Sequence, residues 1–192
     1  MVAELVERRF TLDEYERMVD AGIFDEDEHI ELLDGKIVCM AAIGARHSVC
    51  VMDLHDWFYD RLRGRAKVRT QNPIRLPPRA SPEPDVALVR LRADNYRSGH
   101  PNPEDVLLVI EVADSSLAID RYKKLLLYAA AGIPETWIFD LNADRALVHR
   151  EPRDGVYTNV TVVERGGPLS PLAFPELALA LDELLGPPTA SE

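Results

Sequence analysis

The sequence predicts an α/β domain: a central mixed sheet flanked by helices, with an N-terminal helix and hairpin. Three observations carry this. Residues 106–112 are an almost wholly apolar run, as for a strand covered on both faces. A helical stretch at 117–131 and a strand at 136–140 follow, the length of a right-handed crossover between parallel strands. Asp34-Gly35 separates two short apolar runs, a strong short-range hairpin signal.

Thr11-Leu12-Asp13-Glu14 is a capping box that opens a short helix, and Gly22 closes it. Asp25–Glu28 is an acidic run expected in a solvated loop. The hairpin 30–40 follows. Residues 47–62 read as a helix with Val51, Leu54, Phe58 and Leu62 on one face, ended by Gly64. Residues 67–76 are extended. Pro77, Pro78, Pro82 and Pro84 mark a stiff connector into a strand at 85–90. A loop rich in Asn, Gly and Pro spans 93–105. Beyond the crossover, strands are expected at 145–150 and 156–163, and a last helix at about 175–185. Residues 1–186 read as one domain and 187–192 as a frayed tail.

The composition, 46% hydrophobic and 29% charged, is that of a soluble globule. No apolar run approaches a membrane span, and charge within Met1–Phe10 argues against a signal peptide, so a cytoplasmic protein is expected. Cys39 and Cys50 are too few for a zinc site or a disulfide framework. The net charge of −11 argues against a generic nucleic-acid binder. Its distribution is uneven. Residues 1–34 hold twelve acids and three bases, whereas residues 61–97 hold ten bases and three acids. Arg61, Arg63, Arg65, Lys67 and Arg69 alternate within that basic stretch, either as a solvated edge or as a phosphate track.

Asp85 and Glu111 sit at the ends of neighbouring apolar strands, where carboxylates are disfavoured unless paired or placed on a cation. Lys124 follows in the next helix. Two acids and a lysine are the minimum set for metal-assisted hydrolysis of a phosphodiester. Each residue has a plainer reading. Asp85 could cap a loop, Glu111 could form a buried ion pair with Lys124, and Lys124 could pair with Asp120 four residues earlier. Asp114, Ser115 and Ser116 are suited to capping the helix, and Tyr128 and Trp137 to the core.

The order of these motifs resembles the PD-(D/E)XK nuclease superfamily. Within it, the chain is similar to the Uma-type family of restriction-endonuclease-like proteins. The resemblance rests on Ile30–Ile37, His47, Pro84-Asp85-Val86, Ile110–Ser116, Asp120–Lys124, Tyr128 and Ala131–Trp137. It implies a restriction-endonuclease-like core in which Asp85 and Glu111 hold Mg²⁺ or Mn²⁺ with the Val112 carbonyl. Ala113 stands where the superfamily usually has its lysine, and Lys124 matches the family's position for it on the following helix. Glu31 is implied as an accessory acid, and reads equally as an exposed strand residue. His47 reads as an accessory residue, a helix cap or a packing residue.

Three functions are compatible with these residues. The first is a divalent-metal-dependent endodeoxyribonuclease acting on DNA, for which a homodimer would suit cutting of both strands. The second is a non-catalytic interaction module that retains the nuclease fold. The third is a hydrolase of a small phosphorylated substrate. If DNA is the partner, bases from 61–97 and Arg121–Lys124 are expected beside Asp85.

Overall fold

The structure is a computed structural model that describes residues 7–25, 28–40, 43–114 and 118–185, with the backbone alone at 118–121. Helix α1 spans Leu12–Asp20. Thr11 Oγ1 accepts the Glu14 N–H at 3.2 Å and Glu14 Oε2 accepts the Thr11 N–H at 3.0 Å, the expected reciprocal cap. Such a cap contributes about 1 kcal/mol. Strands β1, Ile30–Leu33, and β2, Lys36–Cys39, form the hairpin. Asp34 and Gly35 have φ of 49° and 79°, as a type I′ turn requires. Gly35 is also fixed by space, since a Cβ there would lie 2.7 Å from Arg9 Cβ.

Helix α2, Ala45–Leu62, leads to β3, Lys67–Thr70, and β4, Val86–Val89. Strand β5, Val106–Ala113, helix α3, Ala118–Ala130, and β6, Glu135–Asp140, are the crossover. Strands β7, Arg145–Arg153, and β8, Val156–Glu164, complete a six-stranded sheet of order β3-β4-β5-β6-β7-β8. Only β5 and β6 pair parallel within it, so the sheet is mixed as expected.

Strand alternation divides the core in two. Val86, Leu88, Leu108, Ile110 and Val112 pack with Leu54, Phe58 and Leu62 of α2. Ala87, Val89 and Val109 pack on the other face with Tyr128 of α3 and Ile133. By the same alternation Asp85 and Glu111 belong to the α3 face. Strand β5 is indeed covered on both sides.

Two expectations need correction. The helix expected at 175–185 is limited to α4, Asp182–Leu185. The stretch before it includes a short strand β10, Leu179–Ala180, paired with β9, Pro168–Leu169. Leu and Ala favour helix, but Leu177, Leu179 and Leu181 alternate, and all three pack into the α2-side core. Tertiary burial overrides propensity there. On α3, Leu125 is buried as expected, but Leu126 is 53% exposed, and Leu127, Tyr128 and Ala129 complete the packed face. The caps proposed for Ser115 and Ser116, and the side chains of Asp120 and Arg121, lie outside the described residues. So do part of the acidic run 25–28 and the tail 187–192.

Candidate active site

Register brings the two central acids together. Val86 pairs with Ile110, and carrying that antiparallel ladder one residue further sets Asp85 opposite Glu111. Side chains so placed have Cβ atoms about 5 Å apart. Asp85 is held at both oxygens. Its Oδ2 accepts the Val112 N–H at 2.8 Å, and its Oδ1 lies 3.0 Å from His47 Nε2. His47 lies in the first turn of α2, so that helix docks on the sheet partly through Asp85. The contact the structure gives Val112 at Asp85 is through its N–H, not the carbonyl that the resemblance implies as a ligand.

Helix α3 supplies the next two groups from one face, four residues apart. The Tyr128 hydroxyl donates to Glu111 Oε1 at 2.6 Å. The Lys124 ammonium lies 3.6 Å from Glu111 Oε1 and 2.7 Å from Glu31 Oε1, and donates to the Glu83 carbonyl at 3.3 Å. Glu31 comes from β1 and is fully buried, which excludes its reading as an exposed strand residue. Its Oε1 also accepts the Glu83 N–H at 2.6 Å, while Oε2 is buried without a hydrogen-bond partner among the described residues. The plainer reading of Glu111, an ion pair with Lys124, is present. It is only part of a larger network.

Charge in this network is unbalanced. Among the described residues one ammonium, Lys124, meets the Glu31 and Glu111 carboxylates, and the charges of Asp85 and Glu83 also act on it. Burial, with Asp85 and Glu31 adding repulsion against the pull of Lys124, pushes the Glu111 carboxyl up to about 7. Burial likewise raises Glu31 despite Lys124, and raises Glu83 with Glu31 adding to it. Burial alone would lower Lys124, but Glu111 and Glu31 outweigh it and hold the ammonium above its ordinary value. Tyr128 is raised well above its ordinary value, first by burial and then by Glu111.

All the candidate residues from the sequence, Glu31, His47, Asp85, Glu111, Val112 and Lys124, therefore meet. Two participants were missed. Tyr128 reads in sequence as a core aromatic, and it is one, yet its hydroxyl serves Glu111; its i+4 spacing from Lys124 was the available signal. Glu83, in Pro82-Glu83-Pro84, gives no comparable signal, because its contribution is mainly through its backbone N–H and carbonyl. A groove of about 400 Å³ lies beside the acids, not on them. It is lined by Ser48 and Gln71, among others, and the Gln71 N–H meets the Asp85 carbonyl at 3.2 Å.

Residues 12–182 match the family model Uma2, described as "Putative restriction endonuclease". The chain belongs to the Uma2 family. No curated relative matches the chain. Among solved structures, this Uma2 member is similar to a crystal structure titled as a putative nuclease belonging to DUF820 from Anabaena variabilis. The likeness covers 92% of this chain and 97% of that one, with a TM-score of 0.71 and 17% identity. It bears out the restriction-endonuclease-like architecture expected from the sequence.

Proposed function

We propose that this Uma2 protein is a divalent-metal-dependent endodeoxyribonuclease, with residues 1–186 as one domain carrying the whole site. The observation behind this reading is the convergence of Asp85, at the start of β4, and Glu111, near the end of β5, with Lys124 from the middle of α3. Family membership supports it.

The donor chemistry fits a hard cation. Each carboxylate has about four lone-pair positions, and the bonds to Asp85 and Glu111 use only some of them. Glu31 Oε2 has no hydrogen-bond partner among the described residues. Among the described residues no three His, Cys, Asp or Glu side chains enclose a ready cage. Mg²⁺ does not need one, since it is commonly held by one or two carboxylates with waters. Asp85 and Glu111, with the Val112 carbonyl, would hold Mg²⁺ or Mn²⁺. Such a cation supplies charge at the scissile phosphate and lowers the pKa of a bound water.

The chain's own groups do the rest. The Val112 N–H and His47 fix the orientation of Asp85. Tyr128 fixes Glu111. Lys124, pinned by Glu31 and the Glu83 carbonyl, places a positive charge where negative charge develops on the phosphoryl oxygens. Glu31 acts here as the residue that positions Lys124. A cytoplasmic homodimer suits an enzyme that cuts both strands; among the described residues no helix is long and apolar enough to cross a membrane.

A second reading has one observation in its favour. Asp85, Glu111 and Lys124 are only 9%, 3% and 4% exposed, and Lys124 bridges two of the acids. A non-catalytic module could keep such a network as a structural knot. The test is plasmid cleavage in Mg²⁺ and in Mn²⁺. Nicking by the native protein, absent in Glu111→Gln, supports the nuclease. A native protein inert on DNA under both conditions overturns it.

A further inference from the structure

The basic stretch 61–97 does not form one stripe along the acids, because several of its arginines have carboxylates of their own. Arg65 pairs with Glu176, Arg75 with Glu16 at 2.6 Å, and Arg92 with Asp94 at 2.6 Å. Arg69 differs from these. It is half-buried on the edge strand β3, and among the described residues no carboxylate reaches its guanidinium. Its Nη2 donates to Asn72 Oδ1 at 3.2 Å and lies 3.3 Å from His100 Nδ1. Its Nε is buried and has no hydrogen-bond partner among the described residues. Neutral acceptors are weak company for a full charge, and an anionic oxygen would be a stronger one.

The surroundings suit an anion. Burial, and after it Arg69 itself, lowers the pKa of His100. A guanidinium only donates, so Nδ1 accepts and the ring proton sits on Nε2. Tyr96 walls the cluster, with its ring centre 5.7 Å from the Arg69 guanidinium and 4.1 Å from that of Arg92. Tyr96 has φ of 62°, unusual for a bulky residue, and its hydroxyl donates to the Arg90 carbonyl at 2.8 Å. The backbone strain is thus held in place around the cation.

Position links this cluster to the acids. Arg69 pairs with Ala87, and Gln71 meets Asp85. Arg69 is therefore one residue pair, about 7 Å of strand, from the level of Asp85 and on the same sheet face. We propose that Arg69, flanked by Asn72 and His100, binds a phosphate oxyanion, the one adjacent to the scissile phosphate on a nucleic-acid strand. Asn72 Oδ1 and His100 Nδ1 keep the guanidinium oriented until the phosphate oxygens replace them. The nucleic-acid part of this proposal rests on the nuclease reading; the phosphate part does not.

The test is binding of a short DNA duplex in EDTA across a salt series, with Arg69→Gln and Arg69→Lys. Loss of one phosphate contact should flatten the log–log salt slope by about 0.9 in Arg69→Gln. Affinity should fall roughly ten-fold on all sequences alike. Arg69→Lys keeps the charge and so the slope, but loses the fork and binds more weakly. It carries the test if Arg69→Gln fails to fold. Native affinity and slope in the variants overturn the proposal. If the native protein binds no DNA in EDTA, plasmid cleavage in Mg²⁺ and Mn²⁺ still judges the nuclease reading, and inorganic phosphate decides the Arg69 site. A rise in melting temperature with phosphate that Arg69→Gln lacks upholds an anion site; equal responses overturn it.

Discussion

Two carboxylates on the same sheet, Glu135 and Glu111, are both buried, and they are treated in opposite ways. Glu135 opens β6 and is saturated. Its Oε1 accepts from Trp137 Nε1 at 2.8 Å and from Arg150 at 2.6 Å, and its Oε2 accepts the Leu172 N–H at 2.7 Å. One guanidinium serves that one carboxylate, across a directly paired position of β6 and β7. Near the end of β5, among the described residues, Glu111 shares one ammonium with Glu31, and Asp85 and Glu83 add their charge to the network. Burial alone does not mark a functional acid. The ratio of cations and donors to carboxylates does.

The comparison breaks most sharply under amide and alanine substitution. Glu111→Gln should abolish cleavage and leave the fold intact, or stabilise it, because repulsion with Asp85 and Glu31 is removed. Glu135→Ala should cost about 3 kcal/mol, because Arg150 and the Trp137 and Leu172 N–H groups lose their acceptor. Urea unfolding at pH 8 measures both. Equal losses in the two variants would mean that the acids are structural alike.

Lys124→Ala removes the shared cation. With Glu31 and Glu111 left buried without it, a loss of about 3 kcal/mol in EDTA is expected, together with a sharp drop in cleavage. Mg²⁺ should recover part of that stability, because it restores positive charge among the acids. If Lys124 served only Asp120 on its own helix, the cost would be a few tenths of a kcal/mol and Mg²⁺ would change nothing.

These acids were legible in the sequence for a definite reason. Asp85, Glu111 and Lys124 interrupt apolar or helical patterns, and an interruption needs a cause. The hairpin turn and the crossover were legible because Asp34-Gly35 and the run 106–112 are local signals. What was not legible depends on partners far along the chain. Burial of Glu31 requires the hairpin to dock beside α3, and the site's use of Glu83 is through backbone groups. The basic stretch looked continuous because sequence does not show that Glu16 and Glu176 come to meet Arg75 and Arg65. The terminal helix was overextended because the alternation of Leu177, Leu179 and Leu181 was outweighed by their helix propensity.

Stability against pH sharpens the contrast further. Glu111 has its folded pKa raised from 4.5 to about 7, so the folded protein holds the proton more tightly than the unfolded chain. The stabilisation this gives is full below about 4.5 and is lost as pH rises through about 7. Metal-free protein should therefore lose a few kcal/mol between pH 5 and pH 8 through this group, on the order set by the shift. Glu111→Gln should flatten that part of the profile. An unchanged profile would assign the pH dependence to other groups.

The smallest effect comes from a single hydroxyl. Tyr128 is fully buried, its ring packs with Val89, Val109 and Ile133, and only its oxygen touches Glu111. Tyr128→Phe keeps the ring and removes the bond. A hydrogen bond to a charged acceptor contributes about 1.5–3 kcal/mol. That loss should appear at pH 8, where Glu111 is ionised, and shrink towards pH 5, where the carboxyl is protonated. Because the hydroxyl favours the charged form, its removal should also raise the Glu111 pKa, moving the stability loss to higher pH. Apparent Mn²⁺ affinity by calorimetry gives a second readout. A carboxylate no longer fixed by Tyr128 should bind the ion more weakly, whereas a tyrosine that merely fills the core would leave affinity and the pH window where they were.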